Sequence, residues 1–174
     1  VQAGLTGGTD AQKVARLCLG AGVTIHPEAY RLATPCSPHA AARIDGVTIA
    51  DADLALPDVA GNLVVEGAGG VLVPYREDLL AADLFARWGL PVILVARTAL
   101  GTISHSLLSI EALRARNIAI AGVAFIGAHE PVAEAAIAHI GQFPQLGRLP
   151  FLDPLDAGTL RAAFAEHIRM DLLQ

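Results

Sequence analysis

Leu63-Val64-Val65-Glu66-Gly67-Ala68-Gly69-Gly70 is the stretch whose reading decides the fold. Its first three residues form an apolar run without polar alternation, the pattern of a strand buried on both faces of a parallel sheet. An acid follows, and then four small residues. An acidic side chain at the carboxyl end of a parallel strand faces the crevice where ligands bind. Glycines beside it let backbone N–H groups approach an anion such as a phosphate. The carboxylate itself suits Mg²⁺, bound directly or through water. The competing reading is a glycine turn carrying a solvated glutamate; the row of small residues behind the acid favours a site.

Outward from this stretch, residues 91–96 (PVILVA) and 118–126 (IAIAGVAFI) repeat the buried-strand pattern, and residues 147–152 repeat it more weakly. Helical patterns separate them. Residues 78–88 read as a short helix stopped near Gly89. Residues 103–116 read as a longer one, capped by Thr102, with Ile103, Leu107, Ile110 and Leu113 on one face. Residues 131–140 and 156–173 complete the set. Strands alternating with helices predict βαβ units and a parallel α/β sheet. Earlier in the chain, residues 10–19 read as a helix, residues 34–39 (TPCSPH) as a loop, and residues 38–43 as the opening of a helix. Val1-Gln2-Ala3-Gly4 reads as the end of a strand running into a loop.

The composition fits one well-packed domain over residues 1–174. Hydrophobic residues make up 53% of the chain, charged residues 17% and aromatics 5%, so the core is aliphatic. A net charge of -5 with no basic stripe argues against nucleic acid as a partner. No apolar run is long enough to span a bilayer, and the start has no basic segment followed by an apolar one. The two cysteines, Cys18 and Cys36, have no metal-ligand spacing, which points to a reducing, cytoplasmic setting.

Other polar residues are weighed against plainer roles. Asp10 reads first as a helix cap and becomes a metal ligand only if it converges with Glu66. Ser37 reads as a cap in a proline-bounded turn, since its spacing to His39 does not make a nucleophile pair. His105, near a helix start, reads as a buried, hydrogen-bonded structural histidine. His26, His129, His139 and His167 do not cluster, so zinc is not expected. No GxxxxGK[ST] loop occurs in the 174 residues; Gly7-Gly8 has Lys13 well downstream, and no Ser or Thr follows that lysine.

Taken together, VQAG with GGTD downstream, TPCSPHAAA at 34–42, VVEGAGG at 64–70 and PVILVARTALGTISHSLLSIEAL at 91–113 resemble the dethiobiotin synthetase family. EGAGG alone is shared with related amidoligases; the SPH and LGTIxH segments point to this family. The resemblance implies a P-loop NTPase-like parallel sheet flanked by helices, acting as a homodimer. It implies that Asp10 and Glu66 bind Mg²⁺ with ATP, and that Gly67, Ala68 and Gly69 lie near the nucleotide. Adenine would sit by Ile126-Gly127 and Pro150-Phe151-Leu152. The family often has Ser or Thr at the substrate-contacting position held here by Ala3, Asn-Asp at Ile126-Gly127, and Asn at Ser104. The family's first strand, P-loop and first helix, and its catalytic lysine, belong ahead of Val1, roughly 30 or more residues in all. No catalytic residue is therefore assigned within the chain, which is expected to have little activity and reduced solubility.

The reaction so implied joins 7,8-diaminononanoate, CO2 and ATP into dethiobiotin, ADP and phosphate. One amine captures CO2 as a carbamate, a phosphoryl group activates the carbamate oxygen, and the second amine closes the ring. Carbamate and triphosphate are both anionic, so Mg²⁺, lysine and N–H groups must offset their repulsion. Competing expectations are a non-catalytic remnant serving as a dimerising module, a fragment of a cobyrinate-type amidoligase and, more weakly, a partition-type ATPase.

Overall fold

The computed structural model describes residues 1–5 and 7–173. The chain divides into two compact units, Val1–Trp88 and Gly89–Gln174, each with its own core.

The second unit holds the main sheet. Strands β5 (Val92–Arg97), β6 (Ile120–Ile126) and β7 (Gln145–Leu149) run parallel in the order β5-β6-β7. Helix α4 (Thr102–Arg114) connects the first two, and α5 (Pro131–Gly141) the second two. This is the α/β alternation expected from the sequence. Leu94, Ala96, Val123 and Phe125 share one sheet face and pack against Ile103, Leu107 and Ile110 of α4 and Ile137 of α5. The opposite face is lined by Ile93, Val95, Ala124 and Ile126, with α6 (Ala157–His167) and the 3₁₀ turn Met170–Leu172 beside it. Ile93 and Val95 remain 43% and 56% exposed, which corrects the expectation that this strand is buried on both faces. The reason is visible in the register: β5 pairs only with β6, so it forms an edge of the sheet among the described residues.

The first unit has less regular structure. A short parallel pair, β1 (Gln2–Ala3) with β2 (Arg31–Leu32), is followed by α2 (Pro38–Asp45) and by a hairpin of β3 (Pro74–Arg76) and β4 (Leu79–Leu80) that leads into α3 (Ala81–Trp88). Helix α1 (Asp10–Leu17) follows β1. Leu32, Ala41, Ala42, Ile49, Leu54, Tyr75, Leu79 and Leu84 form the core. Trp88 closes it by donating its indole N–H to the Leu54 carbonyl at 2.9 Å.

Two further expectations need correction. Residues 63–65 form no strand; Val64 is 94% exposed, and no backbone hydrogen bond ties the run to another strand among the described residues. Apolarity disposes a run towards burial, but a strand also requires a neighbour to satisfy its peptide groups. Nor does Thr102 cap α4. Gly101 occupies the cap in left-handed conformation (φ 89°), and the Thr102 hydroxyl lies 3.5 Å from that of Ser106, one turn on.

Candidate active site

Thr9 caps α1, rather than Asp10. Its hydroxyl accepts the Gln12 N–H at 3.2 Å while the Gln12 side chain accepts the Thr9 N–H at 2.9 Å, a reciprocal capping box. The capping role assigned to Asp10 thus falls one residue earlier, because Thr9 is the residue with a partner three positions on. The remaining first-turn donors are also satisfied: Asp10 N–H by the Gln2 side chain at 2.9 Å, and Ala11 N–H by Glu28 at 2.8 Å. The Asp10 carboxylate is left at the surface, about half exposed, with Lys13 at 3.1 Å.

Glu28, which sequence reading passed over, fastens this helix start. Partial burial is the largest single influence on its acidity and acts upward. Hydrogen bonds from the Ala11 N–H and the Arg31 guanidinium, among others, outweigh it and bring Glu28 down from an ordinary 4.5 to about 2. A carboxylate depressed by folding contributes stability above its unfolded value, and that contribution is lost as pH falls towards the folded value. Urea-denaturation midpoints of the protein should therefore fall between about pH 4.5 and pH 2, with a visibly shallower slope in Glu28→Gln. Parallel slopes for the two proteins would show that Glu28 is not the linked group.

The Glu66–Gly70 segment follows residues 63–65 as an open loop. Glu66 is exposed and makes no hydrogen bond among the described residues. The loop behind it is held from within. A Cβ on Gly67 would lie 2.5 Å from the Phe85 ring, and one on Gly69 (φ 77°) 2.9 Å from Val73 Cγ2, so side chains are excluded at both positions. The Ala68 N–H donates to the buried Tyr75 hydroxyl at 2.7 Å. The expectation that the backbone here faces an anion is narrowed accordingly, since the Ala68 donor is already engaged inside the unit. Burial raises the Tyr75 phenol above its ordinary value; the Ala68 bond opposes this, and the nearby Glu66 charge adds to it.

Ala3 ends β1 and packs against the core of the first unit. No hydrogen bond or ion pair joins Asp10 to Glu66 among the described residues, although both belong to that unit. Ser37 and His39 are brought together: Ser37 Oγ lies 3.0 Å from His39 Nδ1. Ser37 occupies the cap position of α2 as expected, yet its hydroxyl makes no capping bond because the imidazole takes it. His105 is exposed, against the reading of it as buried; its backbone N–H donates to the Gly101 carbonyl at 3.1 Å and its carbonyl accepts the Ser109 hydroxyl at 2.9 Å.

In the second unit the structure unites both segments expected to hold a base. Gly127 follows β6 and donates its N–H to the Leu149 carbonyl at 2.9 Å, directly before Pro150, Phe151 and Leu152. Phe151 is 80% exposed, and its ring edge lies 3.6 Å from where a Gly127 Cβ would be. No Cβ fits there, since it would fall 2.3 Å from Thr98 Oγ1. Ile126 contributes its carbonyl, which accepts the Thr98 N–H at 3.0 Å. Arg148 fixes the turn by donating to the Gly127 carbonyl at 2.9 Å. Arg148 also lies 3.7 Å from Glu134, a carboxylate buried in the first turn of α5 that accepts the Glu130 N–H and the Gln145 amide. This anchoring group went unread in sequence; its only local signal is an acid three residues after the helix-opening Pro131.

The fold is an α/β domain of the P-loop NTPase-like kind, and a family model described as an AAA domain matches residues 1–159. Relatives narrow the class. An ATP-dependent dethiobiotin synthetase from Rhodopseudomonas palustris is 59% identical over 164 residues, covering 94% of this chain and 78% of the relative. Its counterpart from Rhizorhabdus wittichii is 61% identical over 165 residues, covering 95% and 79%. The one from Brucella ovis is 51% identical over 171 residues, covering 98% and 81%. The chain belongs to the dethiobiotin synthetase family. It is an ATP-dependent ligase by family, and no helix among the described residues is long and apolar enough to cross a membrane.

Proposed function

We propose that residues 1–174 form one domain of a ligase that closes the ureido ring of dethiobiotin from 7,8-diaminononanoate, CO2 and ATP, and that this ligase works as a cytoplasmic homodimer. The observation that carries this reading is the Glu66 loop: an unpaired, solvent-facing carboxylate followed by a backbone packed so tightly that Gly67 and Gly69 admit no side chain. Asp10 offers a second exposed carboxylate at the start of α1. Hard oxygen donors of this kind, one or two carboxylates with the rest of the coordination left to water and phosphate, suit Mg²⁺. Asp10 and Glu66 would hold it, and when bound it supplies positive charge against the nucleotide phosphates. The Gly67 and Gly69 N–H groups then stand beside the phosphates.

Phe151 offers an exposed ring next to the bare Cα of Gly127, a surface on which a flat adenine can stack. Ile126-Gly127 presents backbone where relatives with Asn-Asp would present side-chain amides and carboxylates, so shape and stacking dominate recognition. Ala3, assigned to the diamine by family resemblance, would offer it only a methyl group. The decisive experiment supplies the full-length protein with 7,8-diaminononanoate, bicarbonate and Mg-ATP and follows dethiobiotin and ADP together. Equal formation of both supports the reading; ADP without dethiobiotin, or neither product, overturns it. Phe151→Ala should raise KM for ATP by about tenfold, the scale of one lost base–aromatic stack, with kcat nearly unchanged. A loss confined to kcat would place the base elsewhere.

A further inference from the structure

We propose that Tyr75 is a positioning residue for the Glu66–Gly70 loop, setting which backbone groups the loop turns towards its ligand. The inference rests on the reading of Glu66 as part of the Mg-ATP site. Tyr75 sits in β3, is 2% exposed, and belongs to the core of the first unit, so its ring cannot follow a moving loop. Its hydroxyl accepts the Ala68 N–H at 2.7 Å. In a trans peptide the N–H and the preceding carbonyl point in opposite directions. With the Ala68 N–H turned inward to Tyr75, the Gly67 carbonyl is turned away from the ring.

Three contacts prevent the peptide from escaping this choice. Gly67 lies against the Phe85 ring and, where its Cβ would be, 3.5 Å from the Tyr75 hydroxyl. Gly69 is closed in by Val73. The exit of the loop is tied down where Val73 N–H meets the Gly70 carbonyl at 3.0 Å, while the carbonyls of Val73 and Val71 receive the N–H groups of Ala81 and Ala82 at the start of α3. Loop, hairpin and α3 thus brace one another, and the phenol oxygen is the polar point on which the brace closes. Glu66 precedes the braced peptide directly, so its carboxylate direction is inherited from it. Removing the hydroxyl leaves a buried N–H without an acceptor, and such a group seeks another partner by rotating its peptide.

The test compares wild type with Tyr75→Phe, which keeps the ring and deletes the acceptor. In the wild-type protein without nucleotide or metal, amide-resolved hydrogen exchange should show Ala68 protected at least about tenfold relative to Gly69 and Gly70. Protection should collapse in Tyr75→Phe. Half-saturating Mg²⁺ at fixed ATP should rise by about 10- to 100-fold, the range for lost support of a ligating group. Tyr30→Phe is the control. It removes a phenol that accepts the Ala50 N–H and donates to Asp53 elsewhere in the same unit, and it should lower the melting temperature without moving the Mg²⁺ dependence. Unprotected Ala68 in the wild type overturns the proposal even if Tyr75→Phe fails to fold, as does an unchanged Mg²⁺ dependence in a folded Tyr75→Phe. If Glu66→Gln also leaves the Mg²⁺ dependence unchanged, the reading of the site itself has failed; if only Glu66→Gln alters it, the failure belongs to Tyr75 alone.

Discussion

Glu66→Gln should lower kcat/KM for Mg-ATP by about 10²- to 10³-fold, the cost of removing one preorganised charge from a phosphoryl-transfer site. The same change should leave the melting temperature within about 2 °C of wild type, as exposed side chains without partners contribute little to stability. Both halves follow from one observation: Glu66 is solvent-facing and supports nothing in the fold. Glutamine preserves size and an acceptor oxygen, so any loss reports the charge. Glu77→Gln is a matched control, since Glu77 is 82% exposed and pairs with Arg43 only at 3.8 Å; its activity should stay near wild type. A Glu66→Gln enzyme within threefold of wild type would remove the main support for a metal at this loop. Asp10→Asn should weaken Mg²⁺ dependence less, because Lys13 already shares its carboxylate.

Much of the second unit was legible because its strands are long and its helices complete. Residues 91–96 and 118–126 overlap the observed β5 and β6, and the helix between them lies within a few residues of its expected ends. There, apolar runs meet partners and the pattern and the ladder coincide. In the first unit they do not. Residues 63–65 carry the pattern of a buried strand but form no strand, whereas the observed strands β2 and β4 are two residues each and have no periodicity to read. The site divides in the same way. Glu66 and the glycines behind it announced themselves by adjacency. Gly127 and Phe151 were expected to neighbour each other through a family resemblance, and the Gly127–Leu149 hydrogen bond brings their segments together. Glu28, Tyr75 and Glu134 were missed because each acts on a partner that local pattern cannot identify: Glu28 reaches Ala11 across 17 residues. Tyr75 alone carried a usable signal. It is one of two tyrosines in a chain with few aromatics, and a buried phenol needs a hydrogen-bond partner.

Gly147→Ala should destabilise the second unit by roughly 2–6 kcal/mol, combining about 1–3 kcal/mol of backbone strain with about 1–3 kcal/mol of overpacking. Gly147 has φ 126°, well away from the left-handed helical well that other residues sometimes enter. A Cβ there would lie 1.9 Å from the His167 carbonyl oxygen and 3.0 Å from its carbon. Both obstacles are backbone atoms, so no rotamer change relieves them. The chain beyond α6 is moreover pinned to β7, through an antiparallel bridge between Gly147 and Ile168 and the Arg169 N–H donated to the Leu146 carbonyl at 2.7 Å. Accommodating a methyl group therefore means lifting this segment off the sheet edge and opening the apolar space lined by Leu146, Ile168 and Met170. Gly20→Ala separates the two contributions, because Gly20 also has positive φ (77°) but nothing within 4 Å of its would-be Cβ; it should cost only about 1 kcal/mol. Urea denaturation of the three proteins gives the comparison directly. If Gly147→Ala falls no further than Gly20→Ala, the approach of His167 to β7 is soft and the segment after α6 is not a structural clasp. A full loss should also weaken ADP binding, because β7 carries Pro150 and Phe151 at its end and loses its edge when the segment leaves.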